Sequence, residues 1–303
     1  MAAKTKIVFI INPIAGTRKA PHLEDLAIRL LDDKWKPQFI RTDYAGHATQ
    51  IVKNKLKKGA KFFIAVGGDG TVNEVASALV GSKANMGIVP CGSGNGLARS
   101  LKIPLKTDKA LQCISQGFTR QIDAGQINGN YFFCTCGVGF DAKIGKKFSK
   151  TKTRGFHNYI KTTLREYLTY QPKKYTLKVD GEKIRTRAFL ITIANAGQYG
   201  NNAYIAPNAL IDDGKLEVCI LKPFPHRHSF GLGMKLFTRN MDKSKYLDIQ
   251  SCKSLVFCKK KMFNFHIDGD PIKLVGPIRI EVIPKSLNVI TPMPKGKQAE
   301  ATN

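Results

Sequence analysis

Phe62-Phe63-Ile64-Ala65-Val66-Gly67-Gly68-Asp69-Gly70-Thr71-Val72-Asn73-Glu74 decides how the rest of the chain is read. Phe62 to Val66 is apolar on both faces over too few residues for a helix, which predicts a buried strand. It stops at Gly67-Gly68-Asp69-Gly70. Val72, Val75, Ala76, Leu79 and Val80 then recur at the spacing of a helix's apolar face. Strand, glycine-rich turn and helix start together make an anion site in an α/β fold. The glycines admit φ > 0 and a close approach, while free amides at the helix start point at a phosphate. A carboxylate at Asp69 would repel a bare phosphate, so it points to Mg²⁺ held directly or through water. The ordinary alternative is a tight turn with a capping Asp.

Working outward, Lys6 to Asn12 is β-rich and ends in Asn12-Pro13-Ile14-Ala15-Gly16, a turn that cannot continue a strand. Leu23, Leu26, Ala27, Leu30 and Leu31 give helical spacing, and Pro37 to Thr42 reads as a strand. Ala48, Ile51, Val52 and Leu56 mark a second helix, closed by Lys57, Lys58 and Gly59. Beyond the helix through Val80, Met86 to Cys91 is a fourth strand. Gly92-Ser93-Gly94-Asn95-Gly96 follows, then helices near Leu97 to Leu101 and Asp108 to Gln116. Strands alternating with helices predict an α/β domain with a doubly wound parallel sheet. Ligands bind such sheets at the carboxyl ends of strands, where Asn12 to Gly16, Gly67 to Thr71 and Gly92 to Asn95 gather.

Near Ile122 the pattern changes. Asn128-Gly129, Asp180-Gly181, Asp213-Gly214 and Asp268-Gly269-Asp270-Pro271 are hairpin signals. Between them lie β-type runs, including Tyr131 to Val138, Tyr175 to Val179, Phe189 to Ala194, Leu216 to Leu221, Ser254 to Phe257 and Ile278 to Ile283. Helical spacing interrupts them from about Tyr159 to Tyr170 and from Ser229 to Phe237. An antiparallel second domain follows, a β-sandwich or open barrel. The division is 1–122, then 123–285, with 286–303 placed to pack back on the first domain and Lys295 to Asn303 frayed.

A net charge of +27 on 303 residues predicts attraction to polyanions. Lys143 to Arg187 is the densest basic region, with Glu166, Asp180 and Glu182 as its acids, and reads either as a solvated face or as membrane contact. Nucleic-acid binding has no motif behind it. No apolar run approaches the roughly 18 residues of a spanning helix, and Met1-Ala2-Ala3-Lys4 is not a signal peptide, so the expectation is a cytoplasmic protein. Seven irregularly spaced cysteines read as buried thiols. His226-Arg227-His228 lacks a third ligand nearby and reads as a loop pair.

These pieces in succession resemble the diacylglycerol kinase catalytic family, which includes sphingosine and ceramide kinases. The resemblance rests on Asn12-Pro13 with Gly16, Thr42 before Gly46-His47-Ala48, and the block Gly67 to Glu74. It continues through Pro90-Cys91-Gly92-Ser93-Gly94-Asn95, Asp123-Ala124-Gly125, Gly137-Val138-Gly139-Phe140-Asp141, Asp212-Asp213-Gly214-Lys215-Leu216 and Asp268-Gly269-Asp270. The glycine-aspartate block alone is shared with NAD kinases and phosphofructokinases, whose first domain the N-terminal half would share; the later blocks separate the families.

The resemblance implies ATP and Mg²⁺, with ATP between the two domains and a membrane lipid as acceptor. Thr42, Gly67, Gly68, Asp69, Gly70, Thr71, Val72, Asn73 and Ser93 would hold the nucleotide. Asn12 would lie beside its phosphates with Arg18 and Lys19, and Glu74, Gly92 and Asn95 complete the matching blocks. A structural Mg²⁺ would take the Asp213 carboxylate and the carbonyls of Leu210 and Lys215; the plain reading of that stretch is a turn. Asp123 is a candidate for the Mg²⁺–water network or a turn residue before Gly125. Asp270 stands where the family places its general base, with Asp in place of the usual Glu, and Asp69 is expected to be the harder loss. Ser93 and Gly96 depart from the Thr and Asp of many bacterial members, toward the long-chain-base and ceramide kinase branch. The implied enzyme is a lipid kinase held peripherally at an anionic membrane, with room for a homodimer. The alternatives are an NAD kinase and a non-catalytic basic protein that binds membrane or nucleic acid through charge.

Overall fold

β1 (Thr5–Ile11) pairs in parallel with β2 (Trp35–Arg41) on one side and β3 (Phe62–Gly67) on the other, and β3 with β4 (Asn85–Pro90). The computed structural model describes residues 4–15, 23–148, 166, 167 and 169–293. Two compact units emerge, Met1–Ile122 with Lys285–Asn303, and Asp123–Pro284. In the first, the order β2-β1-β3-β4 is that of a doubly wound sheet. Apolar residues on both faces of β1 and β3 explain why. Ile7, Phe9, Ile64 and Val66 pack in one cluster with Leu23 and Ala27 of α1 (Leu23–Leu30) and Leu111 and Ile114 of α5 (Thr107–Gln116). Val8, Ile10, Phe63 and Ala65, alternating with them, are equally buried. α2 (His47–Lys57) and α3 (Asp69–Leu79) pack against each other, and α3 against β3 and β4. The short α4 (Gly96–Ser100) follows the second glycine loop.

The second unit is a sandwich. One sheet runs β12-β11-β10-β7-β14-β15, all antiparallel. Its strands are β7 (Thr135–Gly139), β10 (Leu190–Ala194), β11 (Leu216–Leu221), β12 (Leu247–Cys252), β14 (Met262–Ile267) and β15 (Asp270–Val275). The other contains β8 (Lys173–Val179), β9 (Glu182–Ala188), β13 (Ser254–Phe257) and the first half of β16 (Ile278–Thr291). Val138, Ile191, Val218 and Phe265 of the first sheet share a core with Leu177, Leu255, Phe257 and Ile280 of the second.

Three of the four hairpin signals are two-residue turns with both residues at positive φ: Asn128-Gly129 (43° and 83°), Asp180-Gly181 (44° and 93°) and Asp268-Gly269 (47° and 93°). The first joins β5 (Phe118–Ile127) to β6 (Asn130–Phe132). Asp213-Gly214 is different. It closes the long connection from β10 to β11 instead of making a two-residue hairpin turn, with Lys215 N donating to Asp213 Oδ1 and Gly214 N to the distant Asp123 Oδ2.

Three further differences have physical causes. The expected run Tyr131 to Val138 is broken between β6 and β7, where the amides of Phe133, Cys134 and Thr135 donate to the Asp268 carboxylate. Past β7, Phe140–Phe148 forms α6, a helix not foreseen in the basic stretch. Two of its lysines, Lys143 and Lys147, reach the nearly buried Glu166 carboxylate at 2.9 and 2.5 Å. The strand expected to end at Ile283 instead continues past Pro284, so that Asn288 and Val289 pair with Asn85 and Met86 in the first unit. Most of the helix expected over Tyr159 to Tyr170, much of the basic stretch, Gly16, Arg18, Lys19 and the Lys295 to Asn303 tail lie outside the described residues.

Phe265 is fully buried, edge-on to Phe257 at 5.2 Å. Phe265→Ala should cost about 3–5 kcal/mol, read as a lower urea midpoint for the second unit. Hydrogen bonds from Lys147 and Lys143 hold the Glu166 carboxyl below its ordinary range. A lowered folded-state value stabilises above the ordinary Glu value of about 4.3, and that stability is lost as pH falls through the lowered value. Thermal midpoints of Glu166→Gln should therefore fall less steeply than those of the wild type as pH drops below about 4.3.

Candidate active site

In the order β2-β1-β3-β4 the helices that follow β1 and β3 lie on opposite faces, α1 with α5 and α3 with α2, so the carboxyl ends of β1 and β3 open a crevice by topology. Asn12, just past β1, spends its side chain on bracing. Its Oδ1 accepts from Ile14 N at 3.1 Å, and its Nδ2 donates to Thr71 Oγ1 at 3.1 Å. Thr42 N extends the β1–β2 ladder by donating to Ile11 O at 2.9 Å. At the end of β3 the helix α3 begins at Gly68 with no side-chain cap. Its first-turn amides are those that an anion would take.

Asp69 ties the first glycine loop to the second. Its Oδ2 accepts from Asn95 N at 2.9 Å and its Oδ1 from Gly96 N at 2.7 Å. The two loops then meet backbone to backbone. A Cβ on Gly92 would lie 2.7 Å from Gly68 Cα, and one on Gly94 would lie 2.7 Å from Asp69 Oδ2. Asn95, at φ 52°, folds its amide onto Gly92, accepting from Gly92 N at 3.0 Å and donating to Gly92 O at 2.7 Å. Ser93 is exposed at the tip, and Arg99 Nε holds the loop through Gly94 O at 3.0 Å. Glu74 is occupied elsewhere. Its carboxylate accepts from Gly46 N at 2.8 Å and Ala48 N at 3.1 Å, capping α2. Asn73 Oδ1 accepts from Ser77 Oγ, and Val72 packs into the core.

In the second unit the carboxylates are arranged in a similar way. Asp270 is exposed at the first position of β15, opposite Ile267. Its hairpin is pinned by Asp268, whose carboxylate takes the amides of Phe133, Cys134 and Thr135 at 2.8–3.0 Å while its own N–H donates to Thr135 O. Asn195, fully buried after β10, donates Nδ2 to both Phe133 O and Asp123 O. Asp123 is buried and its Oδ2 accepts from Gly214 N at 2.7 Å. One hydrogen-bonded chain thus runs from the Asp213 turn through Asp123 and Asn195 to the Asp268–Asp270 hairpin. Asp213 is exposed and lines a cavity of about 440 Å³ together with Lys253 and Glu281. Leu210 and Lys215, on either side, are also exposed.

Residues 6–127 match the diacylglycerol kinase catalytic domain, and residues 134–291 match the YegS C-terminal NAD kinase beta sandwich-like domain. A protein of Escherichia fergusonii named "probable lipid kinase YegS" is 31% identical over 278 residues, covering 88% of this chain and 90% of the relative. A "probable lipid kinase YegS-like" protein of Yersinia enterocolitica is 30% identical over 274 residues, covering 88% and 91%. The chain belongs to the YegS-like lipid kinases. A crystal structure of a Bacillus anthracis diacylglycerol kinase superposes with a TM-score of 0.72 over 96% of this chain and 98% of that one. At 20% identity this is a likeness of fold. Membership sets aside the NAD kinase and non-catalytic alternatives.

Within this lipid kinase, the strand, glycine turn and helix start of Phe62 to Glu74 are legible in the sequence, but the partners of Asp69 are not. Asp69 and Asn95 are 26 positions apart, and only packing brings them together. Asn195 passed unnoticed, although a lone amide ending the apolar run Leu190 to Ala194 is a signal that could have found it. Asp141 also gains a role beyond its motif. Its Oδ2 accepts from Thr192 Oγ1 at 2.8 Å and lies within hydrogen-bond distance of His266 Nε2 at 3.1 Å, with Tyr199 OH 2.6 Å from the same Thr192 hydroxyl. Burial, then the Asp268 and Asp141 carboxylates, push the Cys136 thiol well up, so it is no nucleophile. His226 and His228 lie in a 3-10 turn just before Ser229 and not in an open loop, with His226 against Tyr167 OH. Among the described residues no three of His, Cys, Asp and Glu cluster as a metal site.

Asp69→Asn leaves one acceptor for two amides and turns an NH₂ group toward the other. The expected cost is about 1–3 kcal/mol in the first unit, with faster amide exchange at Asn95 and Gly96. Unchanged exchange at those two positions would remove the tie from the account.

Proposed function

We propose that the kinase transfers the γ-phosphate of ATP to a hydroxyl of diacylglycerol or a related membrane lipid, with Mg²⁺ as cofactor. One observation carries this reading most: polar side chains at the carboxyl ends of β1, β3 and β4 spend their hydrogen bonds bracing loops, and backbone amides are left for a triphosphate. Thr42, Gly67 to Asn73 and Ser93 belong to its nucleotide side, with Asn12 and Asn95 as braces. A carboxylate accepts in several lone-pair directions, and in an anion-binding loop the acid at Asp69 suits a cation or its water as well as the amides it holds. A bound Mg²⁺ would neutralise charge on the phosphates.

At the acceptor, the lipid O–H bond breaks as the oxygen bonds to the γ-phosphorus and ADP leaves. Asp270 takes the proton. Its exposure and its pinned hairpin suit a base that must meet a hydroxyl arriving from outside. The second metal position is assigned to the Asp213 carboxylate and the carbonyls of Leu210 and Lys215. One carboxylate with backbone oxygens suits a hard cation and no thiophilic metal. Asp123, buried and bonded to Gly214 N, sets the shape of that turn. The excess of basic residues supports peripheral contact with anionic lipid. Among the described residues no helix is long and apolar enough to cross a membrane.

The test is labelled ATP with a panel of diacylglycerol, monoacylglycerol, sphingoid base, ceramide and phosphatidylglycerol, with products separated by thin-layer chromatography. One panel member should become labelled only when Mg²⁺ is present. Asp270→Asn should lower kcat roughly 10²–10⁴-fold while the shift in melting produced by Mg-ATP survives. Full turnover by Asp270→Asn would remove it as the proton acceptor, and absence of labelled lipid across the panel would sink the acceptor class.

A further inference from the structure

The helix α7 (Ser229–Phe237) has a side that the fold does not use. Leu232 is buried and Leu236 half-buried, both in an apolar cluster of the second unit with Phe189, Leu221 and Leu247. Phe230 is 80% exposed and Met234 51% exposed. They stand at i and i+4, one above the other, about 200° around the helix from Leu232. Gly231 and Gly233 are bare, and a Cβ on either would meet nothing within 4 Å. Glycines inside a helix cost about 1 kcal/mol each relative to alanine. Here they keep the flanks of the Phe230–Met234 ridge clear, so that it projects.

Cations are dense in the segment that carries the ridge. Between Lys222 and Leu247 stand Lys222, Arg227, Lys235, Arg239, Lys243 and Lys245 against one acid, Asp242. All of these except Lys235 are exposed. Some have local duties that fix their place: Arg239 lies over the Tyr204 ring at 3.9 Å, Lys245 over Tyr246 at 5.4 Å, and Lys222 pairs with Asp248 at 2.6 Å. An exposed apolar ridge on a basic segment is complementary to an anionic bilayer, with acyl chains for the ridge and headgroup phosphates for the cations. A protein partner fits less well. Full coverage of one Phe buries roughly 150–250 Å², whereas a stable interface needs about 800 Å² on each side.

We propose that α7 is the element by which this kinase docks on anionic membrane, with Phe230 and Met234 entering the acyl boundary and Arg227, Lys243 and Lys245 lying among the headgroups. This deepens the reading that the acceptor is a membrane lipid and rests on it. It also separates two forces. Charge brings the protein to the surface and weakens with salt, while the ridge gives a part of the binding that salt does not screen.

The test uses the full chain with vesicles of phosphatidylcholine alone or mixed with phosphatidylglycerol. The chain has one tryptophan, Trp35, so Phe230→Trp in a Trp35→Phe background reports on α7 alone. Its emission should move to the blue with the mixed vesicles and be quenched by brominated acyl chains, with little change on phosphatidylcholine alone. Flotation of Phe230→Ser/Met234→Ser with mixed vesicles should fall roughly tenfold or more, since one buried Phe is worth about 1.5–3 kcal/mol. Its melting temperature and its response to Mg-ATP should match the wild type, because both side chains are exposed. Flotation unchanged in the double variant, or an unmoved emission on vesicles that do float the protein, would place the contact elsewhere and overturn the proposal. So would a blue shift that grows with protein concentration without vesicles while the mass by light scattering doubles, since a second copy would then cover the ridge. Phosphorylation of detergent-dispersed lipid separates the two readings. If it persists without docking, α7 alone is refuted; if docking holds and no lipid is labelled, the lipid kinase reading of the site is the one that fails.

Discussion

The first unit depends on one carboxylate that binds backbone. Asp69 accepts from Asn95 N and Gly96 N, so the turn after β3 and the turn after β4 become a single rigid surface. Charge-assisted bonds to amides are short and about twice as strong as neutral ones, and these two join loops whose glycines allow them to touch. A side chain at Gly92 or Gly94 would enter the space already filled by Gly68 or by the Asp69 carboxylate itself. An acid beside a glycine-rich helix start is therefore less paradoxical than it looks. Much of its charge is answered by the amides it holds, while the α3 start carries no side-chain cap.

The same economy recurs in the second unit. Asp268 is not the proposed base but holds it, by taking three successive amides where β6 gives way to β7. Three unpaired amides in a strand break would cost far more than the bonds they make here. Asn195 bridges that break to Asp123, and Asp123 in turn fixes the Asp213 turn. The carboxylates at 213 and 270 are exposed, whereas Asp123 is buried and Asp268 half-buried, and these two hold neighbouring turns through backbone amides.

Charge patterning has a comparable division. The excess of lysine and arginine is a long-range property of the whole chain and draws it toward anions without specifying where it lands. A landing place needs shape as well, which the burial of α7 supplies by hiding Leu232 and presenting Phe230. Elsewhere the basic residues do structural work, as when Lys143 and Lys147 of α6 converge on Glu166.

By itself the sequence determined the alternation of strand and helix in the first half, the sandwich in the second, and the positions of three type I′ hairpins. Those are local or periodic properties, and burial of a two-faced apolar run such as Phe62 to Val66 leaves few other outcomes. It also located the glycine loops and the acids. Tertiary structure alone decided what each acid does. Whether Glu74 meets a ligand or caps α2, whether Asp268 or Asp270 is the braced one, and why the run from Tyr131 breaks all depend on amides brought near from distant parts of the chain. A carboxylate's partner is set by position in space, and a hydrogen bond reaches only about 3 Å, so sequence separations of 26 or 134 residues carry no trace of it.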